Sequence, residues 1–183
     1  MEALTAPRDL SKVSDALKAA GYRGEKIVIL GATDIPILKA VGDVTADLMQ
    51  RVGFNIDYVA TDWGTVVQRR TRKEPAEKGG WHLYSNFTGG MDQTTPTTHT
   101  NIWAGPNAAP GWPSSPRIEE LSTAWVRAPD QASQALIARD IQRQAFVDVP
   151  YIPLGQIAQP TAYRGDLGGV MPGFAVFWNV KRG

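Results

Sequence analysis

No cysteine occurs among the 183 residues, which excludes disulfides, thiolate metal sites and a cysteine nucleophile. That absence suits oxidising and reducing compartments equally, so it leaves location open. Neither sign of charge dominates: 19 Lys and Arg stand against 18 Asp and Glu, a net charge of +1. No broad field therefore favours nucleic acid or an anionic membrane surface. No stretch approaches the roughly 20 apolar residues of a membrane-spanning helix. The opening residues, Met1 to Asp9, lack a basic segment followed by an apolar run and do not read as a secretory signal. The expectation is a cytosolic protein, or a segment trimmed so that it begins at Met1.

Catalytic signatures are missing too. There is no G-x-S-x-G elbow, no G-x-G-x-x-G and no P-loop, and Gly31-Ala32-Thr33-Asp34 is too short a signal to claim phosphate binding. His82 and His99 are the only histidines, and their separation matches no metal-ligand spacing. Neither a metal nor a cofactor is expected. Carboxylates such as Asp34, Asp57, Asp62 and Asp92 are available, but single carboxylates occur in every soluble protein.

What is present is an ordinary globular composition, 43% hydrophobic and 20% charged, enough for one domain with a core. Asp9 is placed to cap a helix in which Leu10, Val13, Leu17 and Ala20 recur at helical spacing, with Gly21 as its stop. Lys26 to Ala32 is a short β-branched run of the kind buried on both faces of a parallel sheet. Pro36 suits the first turn of a helix carrying Ile37, Val41, Val44, Leu48 and Val52 up to Gly53. Phe54 to Val59 alternates as a strand with one wetter face. Strand, helix and strand make a βαβ unit. Asp62 can cap a third helix that carries Trp63, Val66 and Val67 and closes at Pro75 and Gly79-Gly80. Arg69 and Arg70 read as its solvated face. Trp81 to Phe87 alternates as a strand whose end meets a cleft.

Residues 88–115 are rich in Gly, Pro, Thr and Asn with no sustained period, and a loop of this length is usually functional or disordered; its aromatics argue against plain disorder. Pro116 opens a helix with Ile118, Leu121 and Trp125 on one face, and Asp130 caps another through Leu136, Ile137, Ile141 and Phe146, which Pro150 stops. Tyr151 to Ile157 and Thr161 to Arg164 read as strands interrupted by Pro153 and Pro160, at an edge or crossing. Val170 to Val180 is apolar and aromatic, with Pro172-Gly173 as a turn.

Several segments, in this order, carry a resemblance. The buried strand and long helix lead to Val52-Gly53-Phe54-Asn55-Ile56. Then come Asp62-Trp63-Gly64-Thr65 with Gln68-Arg69-Arg70, a strand running into Thr88-Gly89-Gly90-Met91-Asp92, and Gly111 to Leu121. Last is Val149-Pro150-Tyr151-Ile152-Pro153-Leu154. Over Gly21 to Val180 this resembles the C-terminal lobe of the extracellular solute-binding proteins of ABC importers, in the family that includes oligopeptide-, dipeptide- and nickel-binding proteins.

The resemblance implies an α/β, three-layer lobe of the type II periplasmic-binding-protein kind. Its mixed, largely parallel sheet would be flanked by helices, with the C-terminal strands, 151–183, directed towards a hinge. It implies that residues 1–183 are one lobe of a longer protein. That protein would capture a peptide-like or other small solute outside the cytoplasm, with the N-terminal lobe and a membrane permease as partners and no enzymatic activity. Solute contacts map onto Phe87, Thr88, Gly89, Gly90, Met91 and Asp92. By their place in the long loop, and not by the resemblance, His99 and Trp103 are further candidates for touching solute. In peptide-binding members an Asp pairs with the ligand's terminal ammonium, but Gly90 stands at that position here, so the counter-charge is missing unless Asp92 replaces it.

Bland readings stand beside these. Phe87 and Met91 also suit core filling; Trp63, Trp125 and Trp178 suit core or interlobe packing; Trp103 and Trp112 suit loop anchoring; His82 suits a structural hydrogen bond. Two other functions remain open. A small flavodoxin-like enzyme or receiver domain would show an acidic pocket at the strand ends. A protein-interaction module would show a large flat apolar patch.

Overall fold

The computed structural model describes residues 9–173 and 176–183. The sequence reading of Met1 to Arg8, and the part of the Val170 to Val180 run at residues 174 and 175, lie outside the described residues. The chain divides into two compact units, Met1–Tyr151 and Ile152–Gly183.

In the first unit the order is α1 (Leu10–Ala19), β1 (Lys26–Ala32), α2 (Pro36–Arg51), β2 (Asn55–Thr61), α3 (Trp63–Arg69), β3 (Leu83–Tyr84), α4 (Pro116–Arg127) and α5 (Gln131–Asp148). The Asp9 carboxylate accepts from the Ser11 amide at the start of α1, Asp62 from Thr65 at α3 and Asp130 from Ser133 at α5. Each side chain satisfies an amide that the first turn leaves unpaired. Asp34 does not cap α2; it accepts from the Trp63 amide at 2.8 Å and so ties the end of β1 to the start of α3.

The sheet runs β2-β1-β3 and is wholly parallel, with β1 in the centre and buried from Val28 onward. Its core gathers Val28, Leu30 and Ala32 of β1 with Leu38 of α2 and Val66 of α3. Two glycines let it close. Gly31 lies against the Tyr58 ring, and a Cβ added at Gly42 would stand 2.5 Å from the Tyr58 hydroxyl, so β2 and α2 approach β1 only because both positions lack a side chain.

A second apolar cluster, Ile102, Leu121 and Ile141, joins the end of the long loop to α4 and α5. Tyr151, Trp125 and Trp103 pack around it. Ile118 and Ile141 are fully buried, each worth about 2 kcal/mol by apolar area removed from water.

In the second unit the expected strands at Tyr151 to Ile157 and Thr161 to Arg164 are absent. Pro153 and Pro160 offer no amide to a ladder, and no neighbouring strand faces them among the described residues. The pairing found is a short antiparallel ladder, β4 (Leu167–Gly168) with β5 (Lys181–Arg182). Asp166 clamps it, accepting from Arg164 at 2.9 and 2.8 Å and from Arg182 at 3.0 Å.

Candidate functional site

The strand expected over Trp81 to Phe87 shortens to Leu83–Tyr84, and side chains explain both ends. On the N-terminal side the His82 amide donates to the Val28 carbonyl at 2.9 Å, while the Val28 amide donates to His82 Nδ1 at 3.0 Å. The imidazole thus stands where a strand carbonyl would, which is the structural role the sequence suggested. On the C-terminal side Asn86 Oδ1 accepts from the Phe87 amide at 2.9 Å. A side chain that satisfies the next amide competes with the ladder, and the chain leaves the sheet.

Beyond β3 the chain forms an exposed rim. Phe87 and Met91 are 50% and 63% exposed, so neither fills the core, and Thr88, Gly89, Gly90 and Asp92 are exposed beside them. Residues Gly90–Gln93 form a 3-10 turn closed by the Asp92 amide donating to Gly89 at 3.0 Å, with Gln93 bonded back to Thr88. Behind it Thr95, Thr97 and Thr98 bond to one another through their hydroxyls, and the His99 amide donates to Thr95 at 3.0 Å. These bonds hold the loop to itself and leave the apolar side chains of the rim in water.

His99 and Trp103 are set apart from that rim in character. His99 is half-buried, edge-on to Tyr151 with ring centroids 5.5 Å apart, and its Nε2 is enclosed without a partner among the described residues. Burial alone pushes the His99 imidazole below the ordinary histidine range. Trp103 packs against the α4–α5 core and donates through Nε1 to the Pro96 carbonyl at 3.2 Å. One edge of it lines a shallow hollow of about 290 Å³ with Thr97, Asn107, Glu119 and Val126. A larger open hollow of about 730 Å³, between α4 and α5 beside Arg127 and Ile137, includes none of the candidate residues.

Arg69 and Arg70 depart from the expected solvated face. Arg69 donates to the Gly79 and Gly80 carbonyls at 2.9 and 3.0 Å, pinning the turn before β3. Arg70 lies over the rings of Trp63 and Tyr84, 5.7 Å from each centroid. Trp81 donates to the Arg70 carbonyl at 3.1 Å, stacks edge-on to Tyr84 and leans on Trp112, over which Lys73 sits at 4.9 Å. This interleaved run of cations and aromatics is the feature sequence reasoning missed. Its only signal was Trp63, Trp81 and Tyr84 close in sequence to Arg70 and Lys73, with spacings that fit no single element. Trp178, expected as packing, is 86% exposed.

Asp34 and Asp62 are engaged by backbone amides, and among the described residues no three His, Asp or Glu side chains gather as a metal site would require.

The site is thus a parallel sheet whose central strand is buried, with an exposed glycine-rich rim after its third strand. The chain is 33% identical over 178 residues to a probable peptide ABC transporter periplasmic-binding protein of Sinorhizobium fredii, a match covering 95% of this chain and 33% of that one. Among solved structures, a Pseudoalteromonas dipeptide-binding protein in complex with Met-Leu superposes with a TM-score of 0.69 at 16% identity, covering 93% of this chain and 35% of that one. NikA from Brucella suis, in complex with Fe(III)-EDTA, gives 0.63 at 14% identity over 93% of this chain and 37% of its own. No protein-family model matches the chain. The chain is similar in sequence to an ABC-transporter periplasmic-binding protein, and it shares the α/β fold of the type II periplasmic-binding kind with the dipeptide and nickel binders. It spans about a third of the length of the curated relative it matches. Nothing in these likenesses supports an enzyme or receiver domain, or a protein-interaction module.

Proposed function

We propose that this chain is the C-terminal lobe of a two-lobed protein that captures a small solute outside the cytoplasm and delivers it to an ABC permease, without chemical change to the solute. Residues 88–115 form the cleft-facing loop region of that lobe and residues 151–183 its connection towards the hinge. One observation carries the reading: Phe87 to Asp92 emerge from the C-terminal end of β3, where parallel α/β sheets hold ligands, and remain exposed. An apolar ring, a flexible thioether and bare glycine amides make one wall of a cleft that needs a second. The names of the relatives support the direction: the Sinorhizobium protein is called a probable peptide transporter component, and a Helicobacter pylori DppA was solved with a peptide.

Two-lobed closure draws its affinity from contacts on both sides at once. The 183-residue chain should therefore bind solute far more weakly than the longer protein. Native mass spectrometry of the longer protein, purified with whatever it has captured, would identify the solute. Calorimetry of that solute against the shorter chain would then measure the lobe's share. Micromolar or tighter binding by this chain alone would overturn the half-site reading.

A further inference from the structure

Arg70 is held in place but has no counter-ion among the described residues. Its amide donates to Val66, a fully buried residue, at 2.8 Å, and Trp81 holds its carbonyl, so its backbone is fixed. The guanidinium lies against Trp63 and Tyr84, and its Nε is enclosed with no partner among the described residues. Among those residues no carboxylate comes within ion-pairing distance of it. Glu74 and Glu77, the acids nearest in sequence, form no ion pair with it among the described residues, while Asp62 is engaged by Thr65 and Asp34 by the amide of Trp63. The adjacent cations add to the positive field: Arg69 is occupied by carbonyls and Lys73 by an indole face, and among the described residues neither is paired with an acid.

Two aromatic faces offset part of the cost of desolvating a cation, yet they cannot accept its in-plane N–H groups. A carboxylate can, through two parallel hydrogen bonds matched to the guanidinium fork. With Nε enclosed, the Nη end is the part left for a ligand. Tyr84 is three residues before Phe87, a span of about 10 Å in extended chain, so such a ligand would also reach the rim.

We propose that Arg70 is the seat for a carboxylate of the captured solute, gripped between Trp63 and Tyr84. This rests on the capture reading and names the solute class: an organic acid, or a peptide-like molecule held by its acid end.

The test uses the labelled 183-residue chain and proton–nitrogen correlation spectra, with sodium propionate as the probe, propionamide as its neutral counterpart and ionic strength held constant with chloride. Propionate should shift the Arg70 Nε–H and Trp63 indole signals saturably in the millimolar range, and propionamide should not. Arg70→Gln should weaken the response about tenfold or more, while Arg70→Lys, which keeps the charge without the fork, should fall between. Preserved spectral dispersion shows that the variants fold. Equal shifts with both probes, or an undiminished response in Arg70→Gln, would overturn the seat. A response in this chain that disappears in the longer protein would assign the seat to a protein carboxylate and overturn the solute assignment. Capture of a carboxylate-free solute by the longer protein would sink the seat while leaving capture standing. Propionate binding at Arg70 in a longer protein that captures nothing would do the reverse.

Discussion

Around β1 the backbone is shielded by side-chain volume, whereas between Thr88 and Ser115 it is shielded by side-chain hydrogen bonds. Tyr58 covers Gly31 and Gly42, and Val28, Leu30, Leu38 and Val66 close over the rest. In the loop part of the same task falls to threonine hydroxyls, Thr94 on the Met91 carbonyl and Thr98 on the Thr95 amide and carbonyl, and to Glu119, whose Oε1 accepts from the Ala104 amide at 3.0 Å. Volume is unforgiving, because a close-packed region has no room for an added methyl. Hydrogen-bonded loops leave their apolar side chains free to face outward. The contrast separates a scaffold that cannot change from a surface that can be chosen for its ligand.

The sharpest way to break that contrast is Gly31→Ala. Its new methyl would enter the Tyr58 ring, and overpacking of this kind should cost about 3 kcal/mol in urea denaturation. Pairing it with Tyr58→Val should recover much of the loss. If Gly31→Ala alone proved neutral, the volume account of the sheet would be wrong.

A smaller effect tests where the two regimes meet. His82→Ala removes the acceptor for the Val28 amide and should cost about 1 kcal/mol, since Val28 is buried but the bond itself is only partly so. His82→Asn places an oxygen close to the position of Nδ1 and should restore most of that. Hydrogen exchange at the Val28 amide distinguishes a lost bond from a general loosening: it should accelerate in the alanine variant more than exchange at Leu30.

These two sites also show what the sequence made legible. The run Lys26 to Ala32 announced β1, because burial on a strand writes itself into local spacing. The helix α2 was announced as an element but with its face misplaced: Leu38, Gly42 and Ala46 are buried, while Val44 and Leu48 of the expected stripe are exposed, since the small residues that let the helix approach the sheet at Tyr58 do not register as an apolar period. The caps Asp9, Asp62 and Asp130 were equally readable, since each acts within three residues of itself. The third strand was overextended because its ends depend on His82 reaching β1 and Asn86 reaching its own neighbour, and alternation of side chains contains neither fact. The strands proposed near Pro153 and Pro160 failed for a related reason: an apolar pattern does not supply a ladder partner. The exposed rim was identified in sequence by its glycines and by resemblance. The Arg70 stack was not, since it joins α3 to β3 by contacts across many residues of chain.

The smallest expected effect on stability decides most about function. Phe87 and Met91 are well exposed and bury little, so Phe87→Ala and Met91→Ala should each change the stability measured in urea by no more than about 0.5 kcal/mol. If the rim is a cleft wall, the same substitutions in the longer protein should weaken solute binding, because closure would then bury side chains that are in water here. Stability and binding would come apart, as they cannot at Gly31. A loss of stability at Phe87 comparable to that at His82 would mean that the ring supports the loop. The line between scaffold and ligand surface would then have to be moved beyond Asp92.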